Sequence, residues 1–456
     1  MTGLAFALLL SAGIAGYVMN RQAALALRDG GQRLHSLGMF HGLYALLLVI
    51  VPAVVVTLLW VALQGGTVNW LVMSGLPAGV MDGVANPQLV LSEIQSLARG
   101  RVFGTPEPWK IEAAERMVRL NAMSGWLLIG VIAAMSLALL ATSRRSVAAQ
   151  FRARQAVERI VLGLMIACSV VAIFVTLGIV FSLVFEATRF FSMVPLSEFL
   201  FGTRWEPQMP IRADQIAAEG AFGWLPVILG TVVITAVAIF IAVPVGLMSA
   251  IYLNEFASRR FRAVAKPVLE VLAGIPTVVY GFFAILTVAP ALRAAGAALG
   301  IPVAPNTALA AGSVMAIMLI PFISSFADDA LSAVPRSLRD GSIALGATRA
   351  ETVMKVLFPA AIPGIVGGIL LAVSRAIGET MIVLMAAGLI AKMTLNPLDS
   401  VTTVTVQIVT LLIGDTAFDS PKTLAAFALG LMLFVITLFI NILALRIVRK
   451  YRELYD

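Results

Sequence analysis

Nine runs of about 18 or more residues almost free of charge divide this chain, near residues 2–19, 42–63, 121–142, 160–185, 223–252, 267–289, 307–327, 364–390 and 423–445. Each is long enough to cross a hydrocarbon layer as a helix rising about 1.5 Å per residue. With 60% apolar and 12% charged residues, the chain cannot keep its apolar surface in water. The expected fold class is all-α, a polytopic membrane protein with about nine transmembrane helices.

Basic residues set the orientation, because Lys and Arg are retained on the cytoplasmic side more strongly than acids are. With the C-terminus inside, Lys and Arg outnumber Asp and Glu about two to one in the cytoplasmic segments, and acids hold a slight excess on the other face. Nine crossings then put the N-terminus outside. The net charge of +8 is thus mostly topogenic and gives no argument for nucleic-acid binding. Arg144, Arg145, Arg152 and Arg154, and also Arg259, Arg260 and Arg262, are expected to face water or lipid headgroups. The first run has no basic residue before it and Arg21 after it, the reverse of a signal peptide, so it is expected to be retained as a helix. A single cysteine, Cys168, and two histidines, His35 and His41, leave no disulfide and little material for a metal site.

Residues 1–150 hold three of the runs and a long external segment, 64–120. Within it QLVLSEIQSLAR and IEAAERMVRL show helical periodicity, so a small helical cap outside the membrane is expected. An outer loop follows the fourth run and contains FLFGTRWEP and Pro210. Trp205 and Trp224 are expected to mark the outer interface there, and Arg204 to be an entrance residue or a surface partner of Glu206. Pro244 with Gly246, and Gly274 with Pro276 and Gly281, interrupt later runs. Breaks at membrane depth free backbone groups that need protein or a water-filled cavity around them, which makes Gly274, Pro276 and Thr277 candidate pathway positions; kinked packing explains them as well. Asp328 and Asp329 are expected to be solvated carboxylates at the inner end of the seventh run.

Arg375 and Glu379 lie inside the eighth run, where a charge costs several kcal/mol unless paired or hydrated. Their spacing of four is expected to place them on one helical face. Two readings stay open: a neutralised pair holding the helix to its neighbours, or a guanidinium that meets a passing anion. There is no G-x-x-x-x-G-K-[ST] loop, so the chain has no nucleotide site of that kind.

Between the seventh and eighth runs the chain reads DGSIALGATRAETVMKVLFP and continues to SRAIGET. The triplet Asp340-Gly341-Ser342, Gly346 four residues after Ser342, and Val356 and Phe358 before Pro359 resemble the EAA loop of ABC importer permeases, although Glu-Ala-Ala is usual at the triplet. With RWEP, YLNEF and GIPTVVYGFF upstream, the chain resembles the PstC family of phosphate-specific permease subunits over roughly residues 160–456, and the first 150 residues lie outside that common core.

The resemblance implies a six-helix type I importer core in residues 151–456, with a coupling loop over 331–363 that turns at Gly346. Asp340, Gly346, Ala347, Thr348 and Pro359 would dock on a separate PstB-like ATPase dimer, which carries the ATP and Mg²⁺. A PstA-like second permease would close the pathway, and a PstS-like binding protein would deliver phosphate past Arg375 and Glu379. The location implied is the bacterial inner membrane. Import of another oxyanion or small solute, and a membrane enzyme acting on a lipid-linked substrate, are the alternatives.

Overall fold

The computed structural model describes residues 2–77, 87–101, 106–208, 220–413 and 419–452. Among them nine helical segments are long and apolar enough to cross a membrane. The chain forms two compact units, Met1–Phe174 and Val175–Asp456, which meet in sequence inside the fourth of these helices. The boundary expected near residue 150 lies in the short connection before that helix.

The first unit contains α1 (Thr2–Asp29), α2 (Gly38–Met73), α3 (Pro87–Ala98), α4 (Pro108–Arg145) and the start of α5 (Ala153–Met193). Small residues let α1, α2 and α4 approach closely, with Ala5, Leu9, Ala53, Leu128 and Ile132 fully buried between them. α2 and α4 run on beyond their apolar stretches, and the amphipathic α3 lies against them. Val68, Val72, Val90, Ile94, Ala113, Ala114 and Met117 form a separate core there, closed by a Lys110–Glu93 ion pair of 2.7 Å. QLVLSEIQSLAR falls on α3 and the turn after it, and IEAAERMVRL forms the first turns of α4 instead of an independent helix.

The second unit holds the rest of α5, then α6 (Leu196–Phe201) and the two-residue strands β1 (Trp205–Glu206) and β2 (Ala221–Phe222), which pair antiparallel. Pro210 lies outside the described residues. α7 (Leu225–Ile251) continues unbroken through Pro244 and ends in a π-helical turn, Tyr252–Phe256. α8 (Arg259–Gly274), α9 (Thr277–Phe283), a second π turn (Ala284–Val288) and α10 (Ala289–Leu299) follow. α11 (Ala308–Ser332) is the central helix, with Ala311, Met315, Leu319 and Ile323 buried against Ala238 and Ala242 of α7. The remaining elements are α12 (Arg336–Ala344), α13 (Arg349–Thr352), a third π turn (Val353–Leu357), α14 (Phe358–Ile377), α15 (Met381–Ala386), α16 (Val404–Leu412) and α17 (Pro421–Arg452).

Two expected spans shift. The run at 267–289 is not one helix: Ile275 is extended ahead of Pro276, as a residue before proline prefers, and the chain breaks there. Residues before the break belong to α8, whose Arg259, Arg260, Arg262, Lys266 and Glu270 alternate with exposed Phe261, Val264, Val268 and Val271. The crossing segment is Thr277–Leu299, ended by Gly300 in the left-handed region at φ 70°. The run at 364–390 also breaks, because α14 ends at Ile377 and the span begins earlier, giving Arg349–Ile377.

The residues of the loop between α5 and α7 pack inward. Trp205 is buried and its Nε1 donates to Gln407 Oε1 at 2.9 Å, while Trp224 stacks on Phe199 and donates to the Leu200 carbonyl. Both pack within this loop, where edge-to-face Phe190, Phe199 and Phe222 surround them. Arg204 and Glu206 form no ion pair among the described residues.

Candidate translocation and coupling sites

Gly378 caps the end of α14, and Glu379 stands in the break before α15. Its Oε1 accepts hydrogen bonds from the backbone N–H groups of Met381 (3.0 Å) and Ile382 (3.3 Å), so the carboxylate caps the short helix. Its carbonyl accepts from Thr405 Oγ1 at 2.8 Å, which ties the break to α16. The expectation of one shared helical face therefore fails: the helix stops two residues after Arg375, and no Arg375–Glu379 ion pair forms.

Arg375 occupies the last turn of α14 and is exposed. Its guanidinium lies over the Phe322 ring of α11, 5.8 Å from the centroid. Among the described residues it has no hydrogen-bond or ion-pair partner, so its donors are uncommitted.

Gly274, Pro276 and Thr277 form the second break, between α8 and α9, and Tyr280 Oη reaches back across it to the Leu272 carbonyl at 2.8 Å. Gly274 and Pro276 are exposed. α9 lies directly on α15. A Cβ at Gly281 would stand 2.7 Å from Met385 Sδ and 3.2 Å from the Met381 carbonyl, so glycine permits the contact. That packing joins the helix that starts at Thr277 to the helix that Glu379 caps.

The coupling loop is a helix-turn-helix. α12 carries Asp340 and ends at Ala344, Gly346 turns with φ 91°, and Thr348 caps α13 in a reciprocal box with Glu351. No atom lies within 4 Å of a Cβ built at Gly346, so it is the left-handed backbone, not a close neighbour, that selects it. Ala347 is half-buried in the turn, and Pro359 opens α14 directly after the π turn Val353–Leu357. α12 buries no side chain, and Leu345 is 91% exposed.

One constellation has no sequence motif. Asp328 of α11 is buried, not solvated, and accepts hydrogen bonds from Asn254 Nδ2 (2.6 Å), Arg262 Nη2 (2.8 Å) and Lys266 Nζ (2.9 Å). Arg262 is thus committed to a carboxylate rather than to water or lipid; Asp329 is exposed as expected. Glu255, next to Asn254, pairs with Arg339 of α12. The signal that could have located these residues is the charge of YLNEF and DD beside apolar runs, but the pairing needs the fold.

Residues 242–453 match the family described as the inner membrane component of binding-protein-dependent transport systems. Residues 6–175 match the family described as phosphate ATP-binding cassette transporter. A probable ABC transporter permease protein of Bacillus subtilis, YqgH, is 33% identical over 63% of this chain and 89% of its own. The phosphate transport system permease protein PstC 1 of Mycobacterium tuberculosis is 34% identical over 55% of this chain and 81% of its own. PstC of Mesorhizobium japonicum is 36% identical over 49% and 72%. These define a class of transport subunits, not enzymes. Within it, the chain belongs to the PstC family of ABC transporter permeases.

Proposed function

We propose that this chain is the permease subunit of an ATP-driven phosphate importer and forms half of its translocation pathway. The observation that carries this reading is Arg375, a guanidinium among membrane helices with its planar fork of donors uncommitted. A cation in that setting is costly unless hydrated or paired, which supports a role in meeting an anion that arrives from outside. Glu379, engaged by the α15 amides, leaves Arg375 available in this arrangement. Gly274, Pro276 and Thr277 supply the adjoining wall through α9.

A PstA-like permease completes the pathway. A PstB-like ATPase dimer, holding ATP and Mg²⁺, docks on the loop carrying Asp340, Gly346, Ala347, Thr348 and Pro359, and a PstS-like protein delivers the phosphate. The setting is the bacterial inner membrane with the N-terminus outside and the C-terminus cytoplasmic; thiol labelling of cysteines placed at the two ends tests that orientation.

The function is tested by labelled phosphate uptake into vesicles holding this chain with those partners. Wild type accumulates phosphate with ATP, and Arg375→Gln does not, although the ATPase still co-purifies. Uptake of another oxyanion or a neutral solute in place of phosphate removes the cargo assignment. Turnover of a lipid-linked substrate by the isolated chain removes the transport reading altogether.

A further inference from the structure

The π-helical turn Tyr252–Phe256 at the end of α7 presents two adjacent polar side chains to two different elements. Glu255, its side chain only 5% exposed, pairs with Arg339 in the middle of α12. Asn254 turns to α11, where Nδ2 donates to Asp328 Oδ1 (2.6 Å) and to Ser332 Oγ (2.9 Å). Asp328 in turn holds α8 through Arg262 and Lys266. Single π turns are found frequently at functional sites, and here the consecutive residues Asn254 and Glu255 of one reach different partners.

The geometry matters because of what α12 lacks. α12 buries no side chain of its own, and its other hydrogen bond, Ser342 Oγ with Thr352 Oγ1 at 3.0 Å, stays inside the loop. The second arm of the loop is attached differently, by Val353, Leu357 and Ala361 packed on Ala250, Ala327 and Leu331. The Arg339–Glu255 pair, buried at its Glu255 end, is therefore the polar tie from the first arm to the end of α7 among the described residues. Beyond it, the Asp328 cluster leads to α8, and α8 ends at the Gly274–Thr277 break that begins α9.

We propose that Glu255 and Asp328 are positioning residues for coupling: the π turn clasps α12 through Arg339 and holds α8 through Asn254 and Asp328, so that displacement of the coupling loop reaches α9. This rests on the importer reading, and adds to it a route made of named ion pairs. Glu255 and Asp328 are both committed to protein partners.

The test is the ratio of phosphate taken up to ATP hydrolysed, in vesicles holding this chain with its second permease, ATPase and binding protein. Glu255→Arg and Arg339→Glu are each expected to lower that ratio about tenfold or more, because each leaves a buried charge facing its like. The double exchange Glu255→Arg with Arg339→Glu restores the ratio to within about threefold of wild type. Should the reversals prevent assembly, Glu255→Gln keeps shape and removes the charge, and its ratio is read in complexes that co-purify with the ATPase. A wild-type ratio in Glu255→Gln, or a double exchange no better than either single change in assembled complexes, overturns the clasp. Failure of the wild-type complex to move phosphate is separate from both, since it removes the importer reading.

Discussion

Arg375 is held over the face of Phe322, its guanidinium carbon 5.8 Å from the ring centroid, and the ring takes none of its hydrogen bonds. An aromatic face steadies a cation through its quadrupole while leaving all five donors for another partner. A carboxylate in the same place would compete with an arriving anion; the nearby carboxylate of Glu379 is turned instead onto the amides of Met381 and Ile382.

Such a contact contributes about 0.5–2 kcal/mol, which corresponds to roughly a two- to thirtyfold change in an equilibrium constant. Phe322→Leu, which keeps apolar volume and removes the ring, is expected to raise the KM for phosphate uptake within that range and to leave assembly with the ATPase intact. Arg375→Lys keeps the charge but loses the fork, and is expected to be worse than Phe322→Leu. An unchanged KM in Phe322→Leu removes the ring from the account.

Gly346 makes a different demand. At φ 91° a side chain costs about 1–2 kcal/mol even where space is open, as it is here. Gly346→Ala is expected to weaken co-purification of the ATPase and Gly346→Asn to weaken it less, since asparagine tolerates the left-handed region better. Gly274→Ala, with no positive φ and no atom within 4 Å of its Cβ, is the matched control and is expected to assemble normally. Equal binding by Gly346→Ala and wild type counts against the backbone argument.

The existence of the nine spans was legible because hydropathy is a local property of about 18 consecutive residues. The break at 275–276 was marked by Gly274 and Pro276, whereas the one at 378–380 was less legible. The apolar run continues across each, and the helix stops because of Pro276 in one case and of Gly378 followed by the capping carboxylate of Glu379 in the other. Arg375 stood out as a charge among apolar residues, but Phe322 is on another helix and carries no mark of its role. The Asp328 cluster was illegible for the same reason: Asn254, Arg262, Lys266 and Asp328 come from three elements, and a single chain gives no pairing information.

Gln407 supports the loop between α5 and α7 through a network that the sequence shows only as VTTVTVQ. It accepts from Trp205 Nε1 at 2.9 Å and donates from Nε2 to Thr402 Oγ1 at 3.0 Å, with both side chains of the Trp205–Gln407 pair buried. Leaving the indole N–H unpaired costs about 1–3 kcal/mol, whereas removing donor and acceptor together costs less. Gln407→Leu is thus expected to lower the thermal midpoint in detergent by more than Gln407→Leu combined with Trp205→Phe. Additive losses in the double variant argue that the hydrogen bond is not what matters.

Asp399 gives the loop between α15 and α16 a dependence on pH. Its Oδ2 accepts from Lys392 Nζ at 2.9 Å and from Thr394 Oγ1 at 2.8 Å, and the bond to Lys392 is the main reason its carboxyl is held below the ordinary carboxylate value. A group with a depressed folded pKa stabilises the folded loop fully above its unfolded pKa, near 3.9, and loses that contribution as pH falls through the lower folded value. The loop is fastened to α11 by the Asp399 and Pro397 carbonyls, which accept from the Ala308 and Leu309 amides. Hydrogen exchange at residues 392–399, corrected for intrinsic rates, is therefore expected to stay slow from pH 7 to about pH 4 and to accelerate below it. In Asp399→Asn the exchange is already fast at pH 7 and changes little on acidification. Acceleration to the same degree in both proteins places the acid sensitivity elsewhere than at Asp399.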